Sequence, residues 1–253
     1  MKAILVTRYG GPEVLQVKEV PTPSIKENEV LLKIHVAAVN NTDPVFRKGK
    51  PFISRVFTGL FKPKHPIPGD VLAGEVIEIG KNVTRFKMGD RVYGYTTDIL
   101  GAQAEYICLS ENSAISIIPE NISYEEAAGI VDGGHTALVF LRDKGEIGKK
   151  QKVLIYGASG SIGTAAVQLS SAYGAEVTGV CSTSNIEMIK SLGVKRAIDY
   201  TKNDFTLENI KYDIIFDTVA KKSFSKCKNV LSENGIYLTT FPTTNNHSLA
   251  LVW

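Results

Sequence analysis

Lys152-Val-Leu-Ile-Tyr-Gly-Ala-Ser-Gly-Ser-Ile-Gly163 is the stretch whose reading decides the fold. Val153 to Tyr156 is a short apolar run, the mark of a strand buried on both faces. Gly157 to Gly163 is a glycine-rich turn. Beyond it Ile162, Ala165, Ala166, Leu169 and Tyr173 recur at helical spacing. Strand, glycine turn and helix in that order form the setting in which a phosphate meets bare backbone at a helix N-terminus. The spacing departs slightly from G-x-G-x-x-G. Ala158 takes the first position, Gly160 and Gly163 follow, and Gly157 stands just before. Gly157, Ala158, Ser159, Gly160, Ser161, Ile162 and Gly163 are therefore expected to hold a dinucleotide pyrophosphate. The alternative is a tight strand–helix turn that binds nothing.

The second strand is expected at Glu176–Cys181, after Gly174 closes the helix. An NAD site usually carries Asp or Glu at the end of that strand, for the ribose 2'-hydroxyl. Here Cys181 is followed by Ser182, Thr183 and Ser184. A carboxylate would repel a 2'-phosphate, whereas hydroxyls donate to it. This favours NADP(H), with Ser182 and Thr183 as contacts and NAD(H) as the alternative. The same hydroxyls would also serve as a plain cap on the helix that Ile186, Ile189 and Leu192 define.

From Lys152 onward strands alternate with helices. Strands are expected at 153–157, 175–181, 196–200, 212–219 and 235–240, and helices near 161–173, 184–192 and 223–232. The alternation predicts a parallel sheet covered on both faces. The first half reads differently. Met1–Arg8, Val30–Val39, Leu72–Ile79, Arg91–Tyr95 and Ala104–Leu109 are strand-like, and Gly and Pro turns separate them. That pattern suggests a closed or nearly closed β-structure. Ser123 with Glu126 is a capping-box pattern opening a helix through Gly129, and Thr136–Asp143 begins another. The expected division is 1–122 and 123–253. The fold class is α/β and β, a β-rich domain followed by a doubly wound parallel sheet of about five strands.

Composition sets bounds. The chain has 253 residues, 43% hydrophobic and 22% charged, which is ordinary for a globular protein. A net charge of +3 without a basic stripe does not suggest a nucleic-acid partner. No apolar run is long enough to span a bilayer, and the first residues do not resemble a secretory signal. The three cysteines, Cys108, Cys181 and Cys227, are widely spaced and odd in number. This fits a reducing, cytoplasmic setting better than a disulfide framework.

An ordered set of motifs resembles the medium-chain dehydrogenase/reductases, and within them the zinc-independent quinone oxidoreductase and zeta-crystallin branch. The matching pieces are Val39-Asn-Asn-Thr-Asp43 with Arg47 and Gly49, then Gly69–Gly74, Phe86–Tyr93, Gly101–Tyr106, Thr136-Ala137 and Gly157–Gly163. The resemblance implies a GroES-like first domain and a Rossmann second domain, with the cofactor in the cleft between them. It places Asn40, Asp43, Arg47 and Thr136 near nicotinamide and substrate, with Asn40 as a donor to the substrate oxygen. It places Tyr200 near the 2'-phosphate, and Thr218, Val219 and Phe241 along the cofactor.

In zinc-binding members Cys and His hold the metal. By the resemblance Asn40 takes the position of a ligating Cys, Asp70 that of the ligating His and Val71 that of the Glu after it. Zinc needs three or four converging N, S or O ligands, so no zinc is expected. Without it, hydride transfer from NADPH to a small, apolar, electron-poor acceptor, a quinone or an α,β-unsaturated carbonyl, is the expected reaction. A nucleotide binder without turnover and a zinc-independent alcohol or aldehyde reductase are the alternatives.

Two further expectations concern the ends of the pattern. Pro51–His65 places Phe52, Ile53, Val56, Phe57, Leu60 and Phe61 on one helical face amid Arg55, Lys62 and Lys64. The favoured reading is a flap over the substrate cleft; the other is a membrane-surface helix. Only five parallel strands are readable before Pro242, where the family adds a sixth, so the chain is expected to be C-terminally truncated. Family members often dimerise through that sixth strand, so a homodimer stays open.

Overall fold

The computed structural model describes residues 1–96 and 99–240, apart from the side chain of residue 57. Two compact units divide it, Met1–Val131 and Asp132–Trp253.

The first unit is built on antiparallel strands. β1 (Lys2–Val6) and β2 (Leu15–Glu19) form a ribbon. β3 (Glu29–Ala38), β4 (Val71–Ile79), β5 (Arg91–Tyr95), β6 (Tyr106–Ser110) and β7 (Ile115–Ile117) form a five-stranded sheet in the order β6-β3-β4-β5-β7. One face carries the core, where Val30, Leu32, Leu72, Val76, Val92 and Leu109 are buried together. The alternation along β5, Val92 and Gly94 in and Arg91, Tyr93 and Tyr95 half-out, is what a half-buried strand requires. Two strands escape sequence reading. β2 has every residue exposed and so no periodic signal, and β7 is three residues long. α1 (Asp43–Lys48) ends in Gly49, at φ +57.

α3 (Tyr124–Leu138) opens with the expected capping box: Glu126 N donates to Ser123 Oγ at 3.1 Å and Ser123 N to Glu126 Oε2 at 2.8 Å. It does not stop at Gly129. It runs on through Thr136 and continues as a π-helical turn, Val139–Lys144, so the two expected helices are one. Glycine alone ends a helix only where the backbone turns left-handed, and Gly129 does not.

The second unit holds β8 (Lys152–Tyr156), β9 (Glu176–Cys181), β10 (Arg196–Asp199), β11 (Tyr212–Asp217) and β12 (Leu231–Thr239), all parallel, in the order β10-β9-β8-β11-β12. The apolar run of β8 serves two cores. Val153 and Ile155 pack with Ala166 and Val167 of α4 (Ser161–Ala172), whereas Leu154 and Tyr156 pack with Phe205, Tyr212 and Cys227. Both faces of the sheet are covered, which a parallel sheet demands. α5 (Ile186–Ser191) follows a 3-10 turn at Thr183–Asn185. The helix expected at 223–232 shrinks to α6 (Phe224–Cys227) and a 3-10 turn at Lys228–Val230. Strand five then begins at Leu231 rather than 235, because Leu231 is buried as part of the core.

The segment expected as an amphipathic helix at 51–65 is mostly not helical. A 3-10 turn at Phe52–Ser54 leads into a four-residue α2 (Arg55–Thr58), which Gly59 stops at φ +117. All three cysteines are free. Burial raises each thiol, Cys108 to about 11 and Cys227 to about 12. Among the described residues no helix is long and apolar enough to cross a membrane.

Candidate functional site

The nucleotide turn follows from β8 ending at Tyr156. Gly157 adopts φ +87, open to glycine at little cost. A Cβ there would meet Thr218 Oγ1 at 2.5 Å and Val219 Cγ1 at 2.7 Å. At Gly163 it would meet the Gly157 carbonyl oxygen at 2.1 Å. Gly157 is therefore demanded by its left-handed backbone and the side chains packed on it, and Gly163 by close backbone packing. Gly160 is extended at φ −80, ψ 172, and caps α4 without a side-chain bond. The first-turn amides of a helix, here Ser161, Ile162 and Gly163, have no partners within the helix. They stand free for an anion, which is what a pyrophosphate needs.

The strand order places the remaining expected contacts along one edge. β8 and β11 are neighbours at the centre, and their carboxyl ends flank the switch point where nucleotides bind. Thr218 N and Oγ1 both donate to the Tyr156 carbonyl, at 3.0 and 2.9 Å. Asp217, buried, accepts from Val219 N at 2.9 Å, Ala220 N at 2.8 Å and the Tyr237 hydroxyl at 3.1 Å, which fixes that loop. Burial pushes its carboxyl above the usual range, against the pull of those amides. Asn185 Nδ2 donates to Ser159 Oγ and Ser182 Oγ, each at 3.2 Å, joining the turn to the end of β9. Phe241 lies outside the described residues.

The edge expected to meet the 2'-phosphate holds a further charged group. A carboxylate does stand at this edge, contributed by β10 rather than β9. Thr183 Oγ1 donates to Asp199 Oδ2, and Thr201 donates to Oδ1 from its amide at 2.9 Å and its hydroxyl at 2.7 Å. These hydroxyls hold the Asp199 carboxyl at about 2, so it is ionised. Thr183 directs its one hydroxyl proton to Asp199. Ser182 and Ser184 share one hydrogen bond, which leaves one of their two hydroxyl protons as a donor, and Lys202 Nζ lies 3.6 Å from Asp199. Tyr200, half exposed, follows Asp199 directly. Reading the end of one strand could not reveal a carboxylate supplied by its neighbour.

Thr136 is half-buried on α3 in the same unit. One turn earlier Gly133 lies against Ser161: a Cβ there would meet Ser161 Oγ at 2.5 Å. Residues three apart share a helix face, so Thr136 lies on the face that meets the start of α4. Gly133 was not singled out by sequence, and its signal is visible only in the packing.

The first unit gathers its own polar cluster. Asn40 N donates to Asp43 Oδ2 at 2.8 Å, and Asn40 Nδ2 donates to Asp70 Oδ1 at 3.0 Å. Gln103 Nε2 donates to Asp43 Oδ1 at 3.1 Å. Gly69, at φ +89, permits the approach of Gln103, since a Cβ would meet its Cγ at 2.8 Å. Burial raises the Asp43 carboxyl, the Asn40 amide lowers it, and Asp70 raises it further. Arg47, one turn along α1, leaves its Nε buried without a hydrogen-bond partner among the described residues. Asp43 and Arg47 also line a largely apolar cavity of about 500 Å³, with Ile4, Val17, Ala37 and Gln103.

Family models match in the same order. Residues 26–142 match the alcohol dehydrogenase GroES-like domain, and residues 161–240 match a model described as zinc-binding dehydrogenase. The quinone oxidoreductase of Coxiella burnetii superimposes with a TM-score of 0.84 at 32% identity, covering 94% of this chain and 75% of that one. The chain belongs to the medium-chain dehydrogenase/reductases. Its branch is that of the quinone oxidoreductases. The chloroplast envelope quinone oxidoreductase homolog of Arabidopsis thaliana is 34% identical over 97% of this chain and 76% of its own length. The chloroplastic NADPH-dependent alkenal/one oxidoreductase of the same plant is 33% identical over 93% of this chain, which spans 61% of that relative.

The zinc in the second model's description does not fit the residues at hand. Asn40 offers a carboxamide whose Oδ1 already accepts from Thr42 N at 2.9 Å, and Asp70 is hydrogen-bonded to it. Among the described residues no three His, Cys, Asp or Glu side chains group as metal ligands. One carboxylate and one amide do not hold zinc. A nicotinamide dinucleotide does fit this medium-chain fold, on the glycine turn and the open amides of α4.

Proposed function

We propose that the chain is a reductase that uses NADPH, without zinc, on quinones or α,β-unsaturated carbonyls. The observation that carries it is the closed glycine turn of Gly157 and Gly163 with the open amides of α4 at the carboxyl edge of the parallel sheet. The similarity to proteins named quinone oxidoreductase and alkenal/one oxidoreductase supports the acceptor class. Bound there, the dinucleotide supplies hydride. Ser161, Ile162 and Gly163 amides hold its pyrophosphate, and Thr218 and Val219 pack on Gly157 to shape the turn. Ser182, with Asn185 and Tyr200 beside it, receives the 2'-phosphate, and Thr183 is held by Asp199 as the wall of that pocket. NADH is the alternative cofactor.

In the first unit, one Asn40 Nδ2 hydrogen is used on Asp70 and the second is available for a substrate oxygen. Asp43 fixes the Asn40 backbone, and Arg47 keeps an unspent Nε donor. Thr136 stands near the nucleotide turn as a hydroxyl for the nicotinamide side. An electron-poor acceptor needs only this modest help, because protein binding supplies orientation.

The test is NADPH oxidation by the purified chain with a panel of quinones and enones, an NADH control, and a chelator. Turnover with NADPH that resists the chelator is expected. Tight NADPH binding with no turnover on any acceptor would overturn the reductase reading. Equal turnover with NADH would overturn the assignment of Ser182.

A further inference from the structure

Residues 44–69 differ in chemistry from the rest of the chain. They hold six cations, Arg47, Lys48, Lys50, Arg55, Lys62 and Lys64, and no Asp, Glu, Asn or Gln. The net charge of the whole chain is only +3, so the remainder is net acidic. Among the described residues none of Lys48, Lys50, Arg55, Lys62 or Lys64 forms an ion pair with a carboxylate. Five large apolar side chains of the same stretch face solvent. Phe52 is 65% exposed and Phe61 89%, and Ile53, Val56 and Leu60 are also exposed.

This is a built surface. Tyr9 anchors it from the loop after β1, its hydroxyl 2.8 Å from Thr58 Oγ1 and bonded to the Gly59 carbonyl. Arg55 sits over the Tyr9 ring at 4.4 Å and the Phe52 ring at 5.2 Å, and donates to the Gly49 carbonyl at 3.2 Å. Lys64 N donates to the Thr58 carbonyl at 2.7 Å, closing a tight loop that presents Leu60, Phe61 and Lys62 at its tip. A loop already held in shape loses little entropy on docking.

We propose that this segment docks the protein on the surface of an anionic phospholipid bilayer. Phe61, Leu60, Ile53 and Phe52 enter the headgroup boundary, and Lys62, Lys64, Lys48 and Lys50 meet lipid phosphates. The charge complementarity decides for lipid over protein. A protein interface has a polar rim that both donates and accepts hydrogen bonds, and this stretch has no carboxylate or carboxamide to accept. The lipid phosphates only accept, which suits an all-cationic rim. Exposed aromatic and aliphatic side chains among cations are the composition of interfacial anchors. The protein lies on the surface and does not span it.

The test is co-sedimentation of the full 253-residue chain with phosphatidylcholine vesicles, with and without phosphatidylglycerol. Binding to the anionic vesicles alone, reversed by high salt, is expected. Each cation near such a surface is worth about fivefold in partition, so Lys62→Gln with Lys64→Gln should lower binding by roughly tenfold to thirtyfold. Leu60→Ser with Phe61→Ser should lower it by about tenfold or more. Lys18→Gln with Lys87→Gln removes the same charge elsewhere and should leave binding within about twofold. Equal binding to both vesicles would overturn the proposal, as would an equal loss in the control pair. So would binding to a duplex DNA probe, abolished by the Lys62 and Lys64 changes, with no vesicle binding. Far-UV circular dichroism of each variant separates loss of binding from loss of fold.

Discussion

Residues 152–163 and 51–65 look equally periodic as sequence, each an apolar run joined to glycine, yet only the first becomes the regular element its pattern predicts. Val153, Leu154 and Ile155 find a core on each side of the sheet, and Gly157 and Gly163 let the chain turn back onto it. Phe52, Ile53, Val56, Leu60 and Phe61 stay exposed, so four residues of α-helix form and Gly59 ends them. Periodicity specifies a face; a helix or strand forms when that face has a partner.

The contrast is sharpest at Gly163. Gly163→Val would drive side-chain atoms into the Gly157 carbonyl, which is backbone and does not yield. We expect a loss of about 3 kcal/mol in denaturant unfolding and loss of NADPH binding. Retained stability would show that the turn relaxes as freely as the exposed loop. A pH titration tests the same edge of the sheet next. Asp199 is held at about 2, below its ordinary value of roughly 4. Its contribution to stability is present above pH 4 and lost as the pH falls through about 2. The unfolding midpoint of the wild type should therefore drop more steeply across that window than that of Asp199→Asn. Equal slopes would remove Asp199 from the account.

In the other region effects should be small. Arg55→Ala removes the stacking on Tyr9 and Phe52 and should cost about 1 kcal/mol. Phe61→Ser replaces a large apolar side chain and yet should change stability by less than about 0.5 kcal/mol, because Phe61 is already in solvent. A loss of more than about 1 kcal/mol from Phe61→Ser in thermal melts would mean that the side chain is packed.

Much of the fold was legible because burial and pattern coincide. β5 matched residue for residue, and the capping box at Ser123 formed both of its bonds. Misses occur where a tertiary partner decides. Gly129 suggested a break in α3, but the helix runs through it, and Gly133 one turn on is there for contact with Ser161. β2 carries no inward face for a pattern to mark. In the candidate site, the glycine turn was readable from residues near in sequence, whereas Asn40 and Asp43 were singled out by the family resemblance and their hydrogen bond was not foreseen. The bond from Thr183 to Asp199 joins two strands, and Gln103 reaches Asp43 across sixty residues; no local window contains either.

The state of the three thiols has a further consequence under the proposed function, whose acceptors are quinones or enones. Such electrophilic acceptors also add to thiolate sulfur, the nucleophilic form of cysteine. Cys108, held at about 11, is thiolate in only about one molecule in ten thousand at neutral pH, and Cys227, at about 12, in fewer. Cys181 and Cys227 are buried as well. The acceptors of the proposed reaction would thus meet these thiols in the form that does not react.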